Sequence, residues 1–178
     1  MADDTRFRQF LRRRASLFWN ILFFAAVFLA VTAFQTRNML PTSNTAAPEL
    51  SGLLLRGGEY DINSAGERPV LVYFFAPWCK FCAASSGNLT RLRQYRDAES
   101  LEILTVVLDW QSLTEVRDYV DRHGLDVPVV LGNRRIAQDW QVAAFPTYYV
   151  LDSERRVQHR DVGYSTQLGL WWRTWFVD

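Results

Sequence analysis

From Leu17 to Phe34 the chain reads LFWNILFFAAVFLAVTAF, eighteen residues with no charge and with only Asn20 and Thr32 polar. The run is apolar all round, which does not suit a helix that keeps one polar face in water. At 1.5 Å per residue it spans about 27 Å, close to the hydrocarbon thickness of a bilayer. The pattern predicts a transmembrane helix over 17–34. Residues 35–51 (QTRNMLPTSNTAAPELS) hold Pro41, Pro48 and small polar residues without periodicity, and they read as a tether. A folded domain is expected over 52–178.

Within that domain the periods change repeatedly. Short strands are expected at Leu53–Arg56 and Tyr60–Ile62 around the Gly57-Gly58 turn. Pro69–Phe75 (PVLVYFF) is a continuous apolar run, as in a strand buried on both faces. A helix follows over about Cys79–Arg96, with Leu89 and Leu92 on one side, and then a second central strand at Leu101–Leu108. Ser112-Leu113-Thr114-Glu115 is a capping-box pattern opening a helix that Gly124 ends. Val127–Leu131, checked early by Pro128, is a third strand. A short helix at Arg135–Trp140, a hairpin of Tyr148–Leu151 and Arg156–Val162, and a helix at Gln167–Phe176 complete the chain. Strands alternating with helices predict an α/β domain, and the terminal hairpin makes its sheet mixed.

The 178 residues are 49% hydrophobic and 22% charged, with a formal net charge of +1. That balance excludes a disordered tail and a strongly basic nucleic-acid binder. The near-neutral total conceals two unlike parts. Residues 1–34 carry Arg6, Arg8, Arg12, Arg13 and Arg14 against Asp3 and Asp4, a net of +3, and the remainder has a net of −2. By the positive-inside rule, residues 1–16 stay cytoplasmic and everything after Phe34 is exported. A cleaved signal peptide is the alternative, since Val31-Thr32-Ala33 offers small residues to a peptidase. Both readings put the domain outside the cytoplasm.

The two cysteines are Cys79 and Cys82, in Ala76-Pro77-Trp78-Cys79-Lys80-Phe81-Cys82. They follow a buried strand and open a helix, where free N–H groups and the helix dipole favour a thiolate at Cys79. Lys80 adds a nearby cation. With Cys79 exposed and Cys82 more buried, the spacing suits thiol–disulfide exchange: Cys79 attacks a disulfide and Cys82 resolves the mixed intermediate.

A strand running into WCxxC, with Phe145-Pro146-Thr147 about 65 residues on, resembles the thioredoxin fold. Within it, the domain is similar to the membrane-anchored TlpA-like and DsbE-like thiol:disulfide oxidoreductases of bacteria. The ending Val150-Leu151-Asp152, Val162-Gly163-Tyr164 and Gly169-Leu170 resembles the suppressor-for-copper-sensitivity D branch. The resemblance implies a cis-proline at Pro146 facing the cysteines. It also implies substrate contacts at Trp78, Phe145 and Pro146, with Lys80 and Phe81 modulating the site. Implied too are a periplasmic location, protein thiol or disulfide substrates, and a transmembrane electron donor or acceptor. No cofactor beyond the Cys79–Cys82 disulfide is expected, and no nucleic acid. Many relatives place a carboxylate beneath the site; the matching positions here hold Tyr73 and Ser85.

Other readings of the same residues exist. A purely structural disulfide closes a very small loop and stabilises little. Two soft thiolates can instead hold Cu(I), which would make the domain an exported copper-binding or copper-tolerance module. Zinc lacks ligands, and His123 and His159 are expected at the surface. Trp110, Trp140 and Tyr148 are expected in the core or at the site rim. Trp171, Trp172, Trp175 and Phe176 crowd the last helix, one side of which should pack on the sheet, unless they rest on a membrane or a partner.

Overall fold

The computed structural model describes residues 2–42 and 45–177, and for 2–17 and 35 it describes the backbone alone. The chain forms two units, Met1–Arg37 and Asn38–Asp178. The first is a single helix, α1 (Ala2–Thr36). Its described side chains from Phe18 to Phe34 are almost all exposed. The hydroxyls of Thr32 and Thr36 donate back to the Phe28 and Thr32 carbonyls, both at 2.9 Å. Among the described residues no helix is long and apolar enough to cross a membrane. The side chains of Arg6, Arg8, Arg12, Arg13 and Arg14 lie outside the described residues.

The second unit opens with a hairpin of β1 (Ser51–Leu53) and β2 (Glu59–Asp61). The apolar pattern predicts that Leu54, Leu55 and Arg56 extend the first strand, but β1 ends at Leu53. Leu54 and Leu55 turn instead to meet the sheet's edge: Leu54 bridges Val130, and the Leu55 N–H donates to the Val129 carbonyl at 2.9 Å. The main sheet comprises β3 (Val70–Phe75), β4 (Glu102–Val107), β5 (Val129–Leu131), β6 (Thr147–Leu151) and β7 (Val157–Val162), in the order β5-β4-β3-β6-β7. The first three run parallel and β6 and β7 antiparallel, so the sheet is mixed as expected.

Because side chains alternate along a strand, β3 feeds two cores. Leu71, Tyr73 and Phe75 face a cluster with helices α2 (Lys80–Tyr95), α3 (Leu113–His123) and α5 (Gln167–Trp175). Val70, Val72 and Phe74 face the other side, where α4 (Arg134–Asp139) and Trp140 pack. The helix boundaries have local causes. The Ser112 hydroxyl caps α3 by accepting the Glu115 N–H at 3.2 Å, and the Glu115 carboxylate accepts the Gln111 N–H at 2.9 Å. Gly124, at φ 57°, ends α3 in the left-handed conformation.

The folded unit begins earlier than composition suggests. Met39, Leu40 and Leu50, inside the stretch read as a tether, are buried on the β3 face that carries Phe74. The Arg160 guanidinium of β7 donates to the Met39 and Leu40 carbonyls at 2.8 and 2.6 Å. Ala46 bridges Arg156, and the Val157 N–H donates to the Thr45 carbonyl at 2.9 Å. These are backbone-mediated contacts between distant residues, and a short apolar pair such as Met39-Leu40 has no periodicity to reveal them.

Candidate active site

The end of β3 delivers Ala76, Pro77 and Trp78 to the head of α2. The Cys79 N–H donates to the Ala76 carbonyl at 3.1 Å, tightening the turn, and Cys79 becomes the helix N-cap. Its sulfur accepts the Cys82 N–H at 3.1 Å. Cys79 and Cys82 are joined as a disulfide, with Cα atoms 5.2 Å apart. A helix N-terminus presents free donors to whichever sulfur carries negative charge, and Cys79 sits at that point.

Cys82 is fully buried, and Cys79 retains 5% exposure. Cys79 is therefore less open than the spacing alone suggests, because it packs within the same core cluster as Cys82. The accessible surface around it belongs to Trp78, Lys80 and Phe81. Phe145 and Pro146 arrive from the loop before β6, and the Phe145–Pro146 peptide is cis. The Pro146 carbonyl accepts the Gly163 N–H at 2.8 Å. The Phe145 ring meets Trp78 edge-on, with centroids 5.7 Å apart.

Beneath Cys82 the polar groups are hydroxyls. Tyr73 and Ser86 both donate to the Cys82 carbonyl, at 3.4 and 2.9 Å, and Ser86 also pairs with the Tyr119 hydroxyl at 2.9 Å. Ser85 donates to the Phe81 carbonyl at 2.9 Å. Burial pushes the Tyr73 hydroxyl far above its ordinary range and Tyr119 up to about 12, so both stay neutral donors. Glu102, a buried carboxylate, opens β4 at the opposite end of the sheet and pairs with Arg68 at 3.0 Å.

Asp109 has no place in the pattern read from the sequence. The Trp78 indole N–H donates to its carboxylate at 2.9 Å, and Asp109 holds a left-handed φ of 52° to present it. The pair is 31 residues apart, but Phe75 and Val107 are register partners on adjacent parallel strands. Recognising that these strands neighbour each other is the signal that would have placed the two loops together. Asp109, Trp110, Asn133, Arg134 and Phe145 line a groove of about 430 Å³ beside the site. Removing the anchor with Asp109→Ala should lower the rate of insulin disulfide exchange about fivefold, the worth of ~1 kcal/mol. Trp78→Phe should cost as much, and the double variant no more; additive losses would show that the bond does not position Trp78.

The remaining candidates separate. Tyr148 stacks on Tyr73 at 5.7 Å and donates to the Gly163 carbonyl, placing it in the core below the site. Trp110 is half-buried at the groove, and Trp140 is fully buried on the other face of the sheet. His123 and His159 are half-buried instead of fully exposed. His123 packs on Tyr119 at 4.6 Å, and burial lowers the pKa of His159. Among the described residues no group of three or more His, Cys, Asp or Glu side chains is arranged to hold a metal.

A model of the AhpC/TSA family matches residues 44–160, about two thirds of the sequence, with both cysteines and Pro146 inside the match. The chain belongs to the AhpC/TSA family. It is similar to the thioredoxin-like protein YneN of Bacillus subtilis, 29% identical over 68% of this chain and 72% of that one. The thiol-disulfide oxidoreductase ResA of Geobacillus kaustophilus is 24% identical over 83% of this chain and 84% of its own length. Among solved structures, a thioredoxin-family thiol:disulfide interchange protein from Chlorobium tepidum superposes with a TM-score of 0.69 at 19% identity. That match covers 78% of this chain and 99% of the other, and it shows the fold. With a redox-capable cysteine pair at the helix head, this AhpC/TSA member is a thiol:disulfide oxidoreductase.

Proposed function

We propose that the chain exchanges disulfides with protein substrates on the periplasmic face of a bacterial inner membrane, tethered by residues 17–34 with its N-terminus in the cytoplasm. What carries the reading of the site is the Cys79–Cys82 disulfide at the N-terminus of α2, next to Trp78, whose ring meets Phe145 of the cis Phe145–Pro146 peptide. In the oxidising direction a substrate thiolate attacks the Cys79 sulfur, the Cys79–Cys82 bond breaks, and Cys82 leaves as the thiolate. A second substrate thiolate then attacks the substrate sulfur of the mixed disulfide and releases Cys79. The substrate loses two electrons and gains a disulfide, and the chain becomes a dithiol. The reducing direction runs these steps backwards: Cys79 attacks and Cys82 resolves.

The dithiol is the whole redox group in this reading. Trp78, Phe145 and Pro146 dock an extended substrate segment, and Lys80 and Phe81 tune the rim. A dithiol or disulfide on an integral membrane protein restores the resting state. The uncharged stretch 17–34 and the arginines before it support the tether and its orientation.

Purified full-length chain should accelerate reduction of insulin disulfides by dithiothreitol, or oxidation of a reduced protein, and absence of both would overturn the redox assignment. In spheroplasts, a membrane-impermeant maleimide should label the reduced cysteines without lysis. Labelling only after lysis would sink the location.

A further inference from the structure

Cys82 is fully buried, yet disulfide exchange requires its sulfur to carry a negative charge. A buried anion is costly unless donors surround it. Among the described residues the buried carboxylate is Glu102, which lies at the opposite end of the sheet with Arg68. Lys80 is exposed at the helix head. The titratable side chains that share the core cluster with the cysteines are Tyr73 from β3, Tyr119 from α3 and Tyr148 from β6. Burial pushes all three hydroxyls above their ordinary range, so they donate hydrogen bonds without carrying charge.

These hydroxyls are not equivalent. Tyr148 donates away from the cysteines, to the Gly163 carbonyl. Ser86, one helical turn after Cys82, donates to the Cys82 carbonyl at 2.9 Å. A serine hydroxyl has a single hydrogen, so in its 2.9 Å contact with Tyr119 the tyrosine is the donor. The result is a directed chain, from the Tyr119 hydroxyl through the Ser86 hydroxyl to the Cys82 carbonyl. Tyr73 adds a longer contact to the same carbonyl at 3.4 Å. Packing holds Tyr119 in place, since its ring stacks on Phe75 at 4.9 Å and meets His123 at 4.6 Å. The carbonyl oxygen is partly negative and belongs to the residue whose sulfur takes a full charge. Hydroxyl dipoles aligned on it lower the cost of that charge, and in a dry interior such dipoles act strongly and polarise one another.

We propose that Ser86 and Tyr119 are positioning residues for Cys82, their hydroxyl chain stabilising the thiolate formed when a substrate thiolate takes Cys79. In that step the substrate sulfur bonds to Cys79, the Cys79–Cys82 bond breaks with its electron pair left on Cys82, and no proton changes hands. This rests on the oxidoreductase reading above.

The test uses full-length chain carrying Cys79→Ser, in which Cys82 is the remaining thiol. Its ionisation is followed through the Cβ resonance of isotopically labelled cysteine as pH rises. Adding Ser86→Ala or Tyr119→Phe should destabilise the thiolate about fivefold, moving the midpoint up by about 0.7 pH unit. Tyr73→Phe should move it less, because its contact is longer. Since Ser86→Ala alone strands the Tyr119 hydroxyl in the core, the double variant with Tyr119→Phe serves as its control for folding and should show the same shift. With both cysteines present, reduction of the disulfide by dithiothreitol should slow by up to about fivefold in the Ser86 and Tyr119 variants, because a more basic thiol leaves more slowly.

A Cys82 midpoint that stays put in these folded variants, with only their urea midpoints lowered, assigns the hydroxyls to packing and overturns the proposal. Failure of the wild-type chain to reduce or oxidise any protein substrate defeats the oxidoreductase reading itself, and is read separately from the titration.

Discussion

Chains carrying Cys79→Ser should lose disulfide exchange by at least roughly a thousandfold, since no other nucleophile stands at the head of α2. Cys82 cannot substitute, because it is fully buried behind its partner. Cys82→Ser should behave differently. Cys79 still attacks, nothing resolves the adduct, and mixed disulfides with substrate proteins accumulate as bands that collapse under reductant on non-reducing gels. Both variants should fold, because the crosslink closes too small a loop to stabilise much. Equal trapping by the two variants, or full insulin-reducing activity in Cys79→Ser, would reverse the assigned roles.

The second large effect concerns stability. Trp140 is fully buried between Phe74, at 5.4 Å, and Tyr149, at 5.5 Å, and its carbonyl accepts the Tyr149 hydroxyl at 2.8 Å. Truncation by Trp140→Ala should cost about 3–5 kcal/mol, the usual cost of deleting a buried aromatic ring from a packed core. Trp140→Phe should cost markedly less. It preserves ring contact with both neighbours, and it deletes an indole N–H that has no hydrogen-bond partner among the described residues. Urea denaturation reads both. The expected order is wild type and Phe close together and Ala well below, with insulin reduction unchanged while each variant stays folded. Equal losses for Phe and Ala would mean that the indole's shape, and not its aromatic bulk, holds this core.

Much of the site was legible because it is local. The apolar run into Trp78-Cys79, the helix after it and the Phe145-Pro146-Thr147 step are each contiguous in the chain. The capping box at Ser112 and the interruption at Pro128 likewise mark real boundaries, with α3 starting at Leu113 and β5 at Val129. What the pattern missed depends on pairs far apart. Asp109 holds Trp78 only because β3 and β4 are neighbours. Leu54 and Leu55 leave their strand and meet the β5 edge, at Val130 and Val129. Met39, Leu40 and Thr45 fall in a stretch that looks like a tether by composition, yet their carbonyls satisfy donors on β7 that lie over a hundred residues later. On α5, the sequence shows too many aromatic residues for one buried face, and only the fold sorts which ones point outward.

The chain from Thr45 to Ala47 along β7, with Leu54 and Leu55 against β5, has a consequence for how the domain keeps to itself. Both outer strands of the five-stranded sheet are shielded by the protein's own backbone over part of their length. An uncovered edge is a template on which a foreign strand can grow. A fragment starting at residue 52, where composition alone would place the domain's first residue, would strip the guard from β7 and leave an edge prone to self-association. The stretch that looks most like spare chain is part of what keeps the sheet finite.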